Sequence, residues 1–120
     1  MQNPFWNSAG PRFVDRDEIL VVAREAARRI AARHQGVKRV LLFGSFARGD
    51  YGVRSDLDLL VVVSSADKPV GERLADFLED APDYPTDMLV YTEAELQCRL
   101  SEENGFLCRA LREAIQLYPL

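Results

Sequence analysis

Five consecutive apolar residues, Leu59 to Val63 (LLVVV), constrain the fold of this chain more than any other stretch. Side chains alternate between the two faces of a strand, so a run without a polar position predicts a strand covered on both sides. That requires a sheet with helices packed above and below it. A second apolar run, VLLF at 40–43, ends at Gly44, and a third, MLVY, follows Asp87. Three strands are expected, over 38–43, 56–63 and 86–91.

Helical patterns surround these strands. From Asp15, DRDEILVVAREAARRIAARHQG carries acids in its first turn, apolar residues at Ile19, Val22, Ala26 and Ile30, and Gly36 beyond its last turn. PVGERLADFLED places Val70, Leu74, Phe77 and Leu78 on one stripe, predicting another helix. Thr92 and Glu95 supply an S/T-x-x-E capping pattern. Phe106, Ala110, Leu111, Ala114 and Leu117 are spaced for a terminal helix. The expected order is helix, strand, strand, helix, strand, helix, helix. This is an α/β or α+β architecture, a small mixed sheet flanked by helices. With 120 residues, one domain over 1–120 is expected. It divides into an irregular arm at 1–12 holding Phe5 and Trp6, a core at 37–91, and C-terminal helices at 92–120.

Composition narrows the function. At 48% apolar and 28% charged residues the chain has the makeup of a soluble globular protein, which argues against disorder. A net charge of −4 argues against general nucleic-acid binding, which needs a basic surface for phosphates. Cys98 and Cys108 lack zinc-ligand spacing and are expected to be reduced, structural thiols. The N-terminal sequence has no secretory pattern and no apolar run reaches bilayer-spanning length, so a cytoplasmic protein without membrane contact is expected.

The chemistry concentrates in GSFARGDYGVRSDLDLLV, residues 44–61. Asp56 and Asp58 are two apart at a strand start and project together. Two anions that close repel, so either a pKa rises or a cation neutralises them, and oxygen-only ligands suit Mg²⁺ completed by waters and phosphates. Gly44 allows close backbone approach, and the Ser45 hydroxyl with the free N–H groups of a helix start can hold a phosphate. Asp87, before the third strand, falls level with the pair if that strand lies beside the second. Three carboxylates can serve two metal ions in phosphoryl transfer, and Asp87 can also accept a proton as general base.

Gly-Ser, ten residues, then Asp-x-Asp resembles the signature of the nucleotidyltransferase superfamily related to DNA polymerase beta. The short chain further resembles the minimal nucleotidyltransferases, most closely over residues 37–91. The resemblance implies that Gly44 and Ser45 bind a triphosphate, that Asp56 and Asp58 bind metal, and that Asp87 is the third ligand and base. It implies ATP as substrate, two Mg²⁺ ions, and transfer of AMP to a hydroxyl. In minimal members the implied acceptor is a tyrosine of a HEPN-domain toxin, so the chain would act as an antitoxin. Two other functions stay open: a nucleotide-binding protein that neutralises its partner by occlusion, and a nucleotidyltransferase acting on a small molecule such as an aminoglycoside.

Other polar residues carry two readings each. Arg48 and Arg54 flank the site and suit phosphate oxygens, or they are loop arginines, with Asp50 a partner. Ser55 contacts metal-bound water or holds a turn. His34 is expected at a helix C-terminus, without a catalytic role. Arg24, Arg28, Arg29 and Arg33 form either a partner-facing basic side or a solvated face.

Overall fold

The run at 59–63 is buried along its whole length, and the reason is a sheet with helices on both faces. The structure is a computed structural model that describes residues 15–52, 54–101 and 105–120. The aromatic arm with Phe5 and Trp6 lies outside the described residues.

Helix α1 (Arg16–Arg33) starts where Asp15 accepts a hydrogen bond from the Asp17 N–H at 2.9 Å, which satisfies one of the unpaired donors of the first turn. Strands β1 (Val37–Phe43), β2 (Leu57–Val63) and β3 (Thr86–Thr92) follow, with a short helix α2 (Gly44–Arg48) between the first two. Helices α3 (Glu93–Ser101) and α4 (Gly105–Glu113) and a fourth strand, β4 (Ile115–Tyr118), complete the chain. The sheet order is β3-β2-β1-β4, with β2 and β3 parallel and the other pairs antiparallel.

The alternation of β2 divides the core. Leu57, Leu59, Val61 and Val63 pack with Ile19, Ala23 and Ile30 of α1, whereas Leu60 and Val62 pack with Leu96 of α3 and Leu107 of α4. Burying one such Ile or Leu side chain contributes about 1.5–3 kcal/mol, so a polar residue anywhere in the run would be costly. Asp58 shares the face of Leu60 and Val62, and only because it stands at the strand's beginning does it escape the helical cover.

Two expected elements differ. The Leu74 stripe is not an α-helix: Val70–Glu72 and Leu74–Asp80 are 3₁₀ turns, and Leu74 and Leu78 are exposed. Phe77 alone of the four expected residues is buried, since three residues per turn cannot keep a 3.6-residue stripe on one side. The terminal helix stops at Glu113, and Ile115–Tyr118 pairs with β1, burying Leu117 in the α1-side core. The segment after 92 is thus two helices and an edge strand. Neither Cys98 nor Cys108 is in a disulfide, as expected, but neither is buried in the core: Cys98 is exposed and Cys108 half-buried.

The remaining polar expectations resolve clearly. Thr92 and Glu95 form a reciprocal capping box: the Thr92 N–H donates to Glu95 Oε1 at 2.8 Å and the Glu95 N–H to Thr92 Oγ1 at 3.1 Å. His34 caps α1 and meets Asp80 through Nε2 at 2.9 Å. Arg29 donates to the Asp80 and Ala81 carbonyls and Arg33 pairs with Asp80 at 3.0 Å, so this part of the basic side serves the fold.

Candidate functional site

Strand pairing decides which carboxylates meet. In the parallel pair of β2 and β3, Asp58 stands directly opposite Asp87, and on its other side Asp58 faces Phe43 of β1. A single row across the sheet therefore reads Asp87, Asp58, Phe43, with Asp56 just before β2. The expectation that Asp87 falls level with the pair holds. Asp56 and Asp87 are exposed, while Asp58 is half-buried.

Burial raises the Asp58 pKa above the ordinary carboxylate value, and the negative charges of Asp87 and Asp56 raise it further. Arg48 opposes these effects by lowering it. Among the described residues none of the three acids has an ion-pair partner. Such a site gains from a cation.

Gly44 closes the other side of Asp58. Its φ is +74°, a region costly for residues with a Cβ, and a Cβ built there would collide with the Asp58 carboxylate, approaching its Cγ to 3.1 Å. Glycine is required at 44 on both grounds. The chain then turns into α2, which ends with Gly49 at φ +94° and the Gly49 N–H on the Ser45 carbonyl at 2.8 Å. Phe46 anchors this turn: it is fully buried, stacks on Tyr51 at 4.7 Å and meets Tyr84 edge-on. Arg16 binds the Phe46 and Ala47 carbonyls at 2.8 and 3.2 Å, tying α1 to the end of α2.

A cavity of about 570 Å³ opens between this turn and α4. Its lining joins Phe43, Gly44, Ser45, Arg48 and Asp58 to Phe106, Arg109, Ala110 and Glu113. Gly44, Ser45 and Arg48 are thus brought together with Asp58, as expected. Arg54 is exposed and does not line the cavity. Arg48 spends much of its charge on Asp50, at 3.1 Å, and Glu113, at 3.6 Å. Ser55 is a turn residue: its Oγ accepts from the Gly52 N–H at 2.8 Å and its carbonyl from Tyr84 Oη at 3.1 Å.

Sequence reasoning missed the α4 wall and Arg16. Phe106, Arg109 and Glu113 lie about sixty residues from Gly44 in the chain, and no local pattern announces such a contact. The spacing of 106, 109 and 113 along one helical side is the one signal available.

The acids suit a hard divalent cation in donor chemistry, being oxygen ligands only with an unneutralised half-buried member. Among the described residues, however, no three His, Cys, Asp or Glu side chains are grouped so as to hold a metal ion together. Mg²⁺ does not demand one, since it is commonly held by one or two carboxylates with waters and substrate phosphates supplying the rest. The residues fit the ion on that basis.

Comparison with known proteins bears on the same residues. The family model described as "Nucleotidyltransferase domain" matches residues 23–117. Two similar proteins of Methanocaldococcus jannaschii are each named "Putative protein adenylyltransferase". One is 42% identical over 40 residues, 32% of this chain and 40% of that protein, and the other is 43% identical over 47 residues, 38% and 48% respectively. The chain therefore matches less than half the length of either relative. A solved structure from Sulfolobus solfataricus, described as a "putative nucleotidyltransferase", superposes with a TM-score of 0.59 at 30% identity, covering 67% of this chain and 72% of that one. The chain belongs to the nucleotidyltransferase domain family.

Proposed function

We propose that this protein is a metal-dependent nucleotidyltransferase that moves AMP from ATP onto a hydroxyl of a protein acceptor. The observation that carries this reading is the Asp58 carboxylate, flanked by Asp87 across the parallel strand pair and packed against a Gly44 that admits no side chain. The family supports nucleotidyl transfer, and the names of the two relatives support AMP and a protein acceptor.

Each residue then has a task. The Ser45 hydroxyl and the backbone N–H groups at the start of α2 bind phosphate oxygens, with Gly44 keeping that contact close. Arg48 offsets negative charge at Asp58. Two Mg²⁺ ions, when held by Asp56, Asp58 and Asp87, would neutralise the triphosphate and stabilise the departing pyrophosphate. The acceptor oxygen forms a bond to the α-phosphorus, the bond to the bridging oxygen of pyrophosphate breaks, and the acceptor proton passes to Asp87. Asp87 is exposed, as a group that meets an incoming macromolecule must be.

The acceptor that the minimal-nucleotidyltransferase resemblance implies is a tyrosine of a HEPN-type toxin, which makes the chain an antitoxin. The test is transfer of label from α-labelled ATP to that partner. Wild-type protein should label it, and Asp58→Asn should keep its fold and lose transfer by about 10²–10⁴-fold. Full transfer by Asp58→Asn would refute the mechanism. Neutralisation of the partner in cells by the same variant would mean that occlusion suffices.

A further inference from the structure

Arg48 is the arginine that local sequence places beside the phosphate turn, yet it is largely consumed by Asp50 and Glu113. A nucleoside triphosphate brings several negative charges into a cavity that already holds Asp58 and Glu113. The structure therefore raises the question of which cation meets the phosphates.

Cavity position narrows the choice. The row Asp87, Asp58, Phe43 runs across the sheet, and the cavity lies on the Phe43 side, lined by Gly44, Ser45 and Asp58 but not by Asp87. The phosphate chain and the acceptor then occupy opposite flanks of Asp58. On the phosphate flank the facing wall is α4, and its cation is Arg109.

Arg109 is exposed and forms no ion pair among the described residues; its Nε donates to the Gly105 carbonyl one turn back at 3.2 Å. That single bond leaves the two terminal nitrogens, the fork that binds phosphate oxygens in bidentate fashion. The Nε bond also restrains the side chain on the cavity side of α4, so less ordering remains to be done on binding.

We infer that Arg109 binds the triphosphate of the nucleotide from the α4 wall, opposite Gly44 and Ser45. This assignment rests on the nucleotidyl-transfer reading and adds a residue that no local motif marks. Arg112 is the natural control, an exposed arginine three residues on in the same helix that does not line the cavity.

The experiment is calorimetric titration of the full chain with inorganic tripolyphosphate and with ATP, each with Mg²⁺, for wild type, Arg109→Gln and Arg112→Gln, with circular dichroism to confirm folding. Arg109→Gln should weaken both ligands about tenfold or more, the loss of one charge-assisted contact, and Arg112→Gln should leave both affinities within about twofold of wild type. Arg109→Lys, which keeps the charge and loses the fork, should fall between. Equal weakening by the glutamine variants overturns the inference, because it would reflect net charge alone. Unchanged binding by Arg109→Gln overturns it while leaving the proposed function intact. Failure of wild type to bind either ligand overturns the function and this inference together.

Discussion

The two ends of the β2–β3 pair hold the same kinds of charged residue in opposite states. At the ends where the strands finish, acids are matched. Arg73, nearly fully buried, donates to both oxygens of Glu95 at 2.6 and 2.9 Å and to the Lys68 and Val90 carbonyls, while Asp80 meets Arg33 and His34. The Asp80 oxygen facing Arg33 is close enough for an ion pair but lacks hydrogen-bond alignment. At the ends where the strands begin, Asp58 stands opposite Asp87 with Asp56 just before β2, and none of the three has an ion-pair partner among the described residues. The pKa directions follow: Arg73 and the Thr92 N–H hold Glu95 down at about 2, whereas burial and neighbouring acids push Asp58 up. A charge that serves the fold is neutralised within the fold, whereas the unpaired acids at the other end are where the proposed function assigns the cation.

The largest expected break in this contrast is Asp58→Asn, which should lower transfer by about 10²–10⁴-fold while leaving the melting temperature equal to or above wild type, since it relieves repulsion. Arg73→Met is the mirror experiment. Removing one member of a buried pair costs about 3–5 kcal/mol, and because Glu95 keeps 35% exposure the lower part of that range is expected. Denaturant unfolding should reveal the loss, with transfer per folded molecule unchanged.

Gly44→Ala should act on both scales. A Cβ at positive φ and against Asp58 costs about 1–3 kcal/mol and should displace the carboxylate, reducing transfer with a smaller fall in stability than Arg73→Met.

The smallest effects lie in pH. Glu95 titrates lower in the folded chain than unfolded, so its stabilisation is complete above an ordinary carboxylate pKa of 4.5 and is lost as pH falls toward about 2. Asp58 has the opposite sign: a raised folded pKa favours the fold at low pH and withdraws that contribution as pH rises through it. Melting curves between pH 2 and 5 should show a shallower acid loss for Glu95→Gln than for wild type.

Much of this arrangement was legible in the sequence because it is local. Continuous apolar runs gave β1, β2 and β3, the acids after Asp15 and the Thr92–Glu95 box gave helix starts, and the ten residues between Ser45 and Asp56 joined two halves of one site. The parts that were not legible are those that sequence distance hides. Arg73 is twenty-two residues from Glu95, and in the chain it looks like one more surface arginine. β4 was hidden differently: Leu111, Ala114 and Leu117 continue a helical spacing, and four residues are too few for alternation to contradict it. The 3₁₀ segment misled for a similar reason, since a plausible stripe at Leu74 and Leu78 had nothing to pack against.

The proposed mechanism requires that Asp58, opposite Asp87, take its countercharge from a divalent cation. Carboxyl-carbon NMR titration of Asp58, with and without Mg²⁺ and tripolyphosphate, measures it directly. Asp58 should titrate above an ordinary aspartate in the absence of the ion, and its pKa should fall on addition of the ion. An ordinary or depressed pKa that does not respond to Mg²⁺ would contradict it.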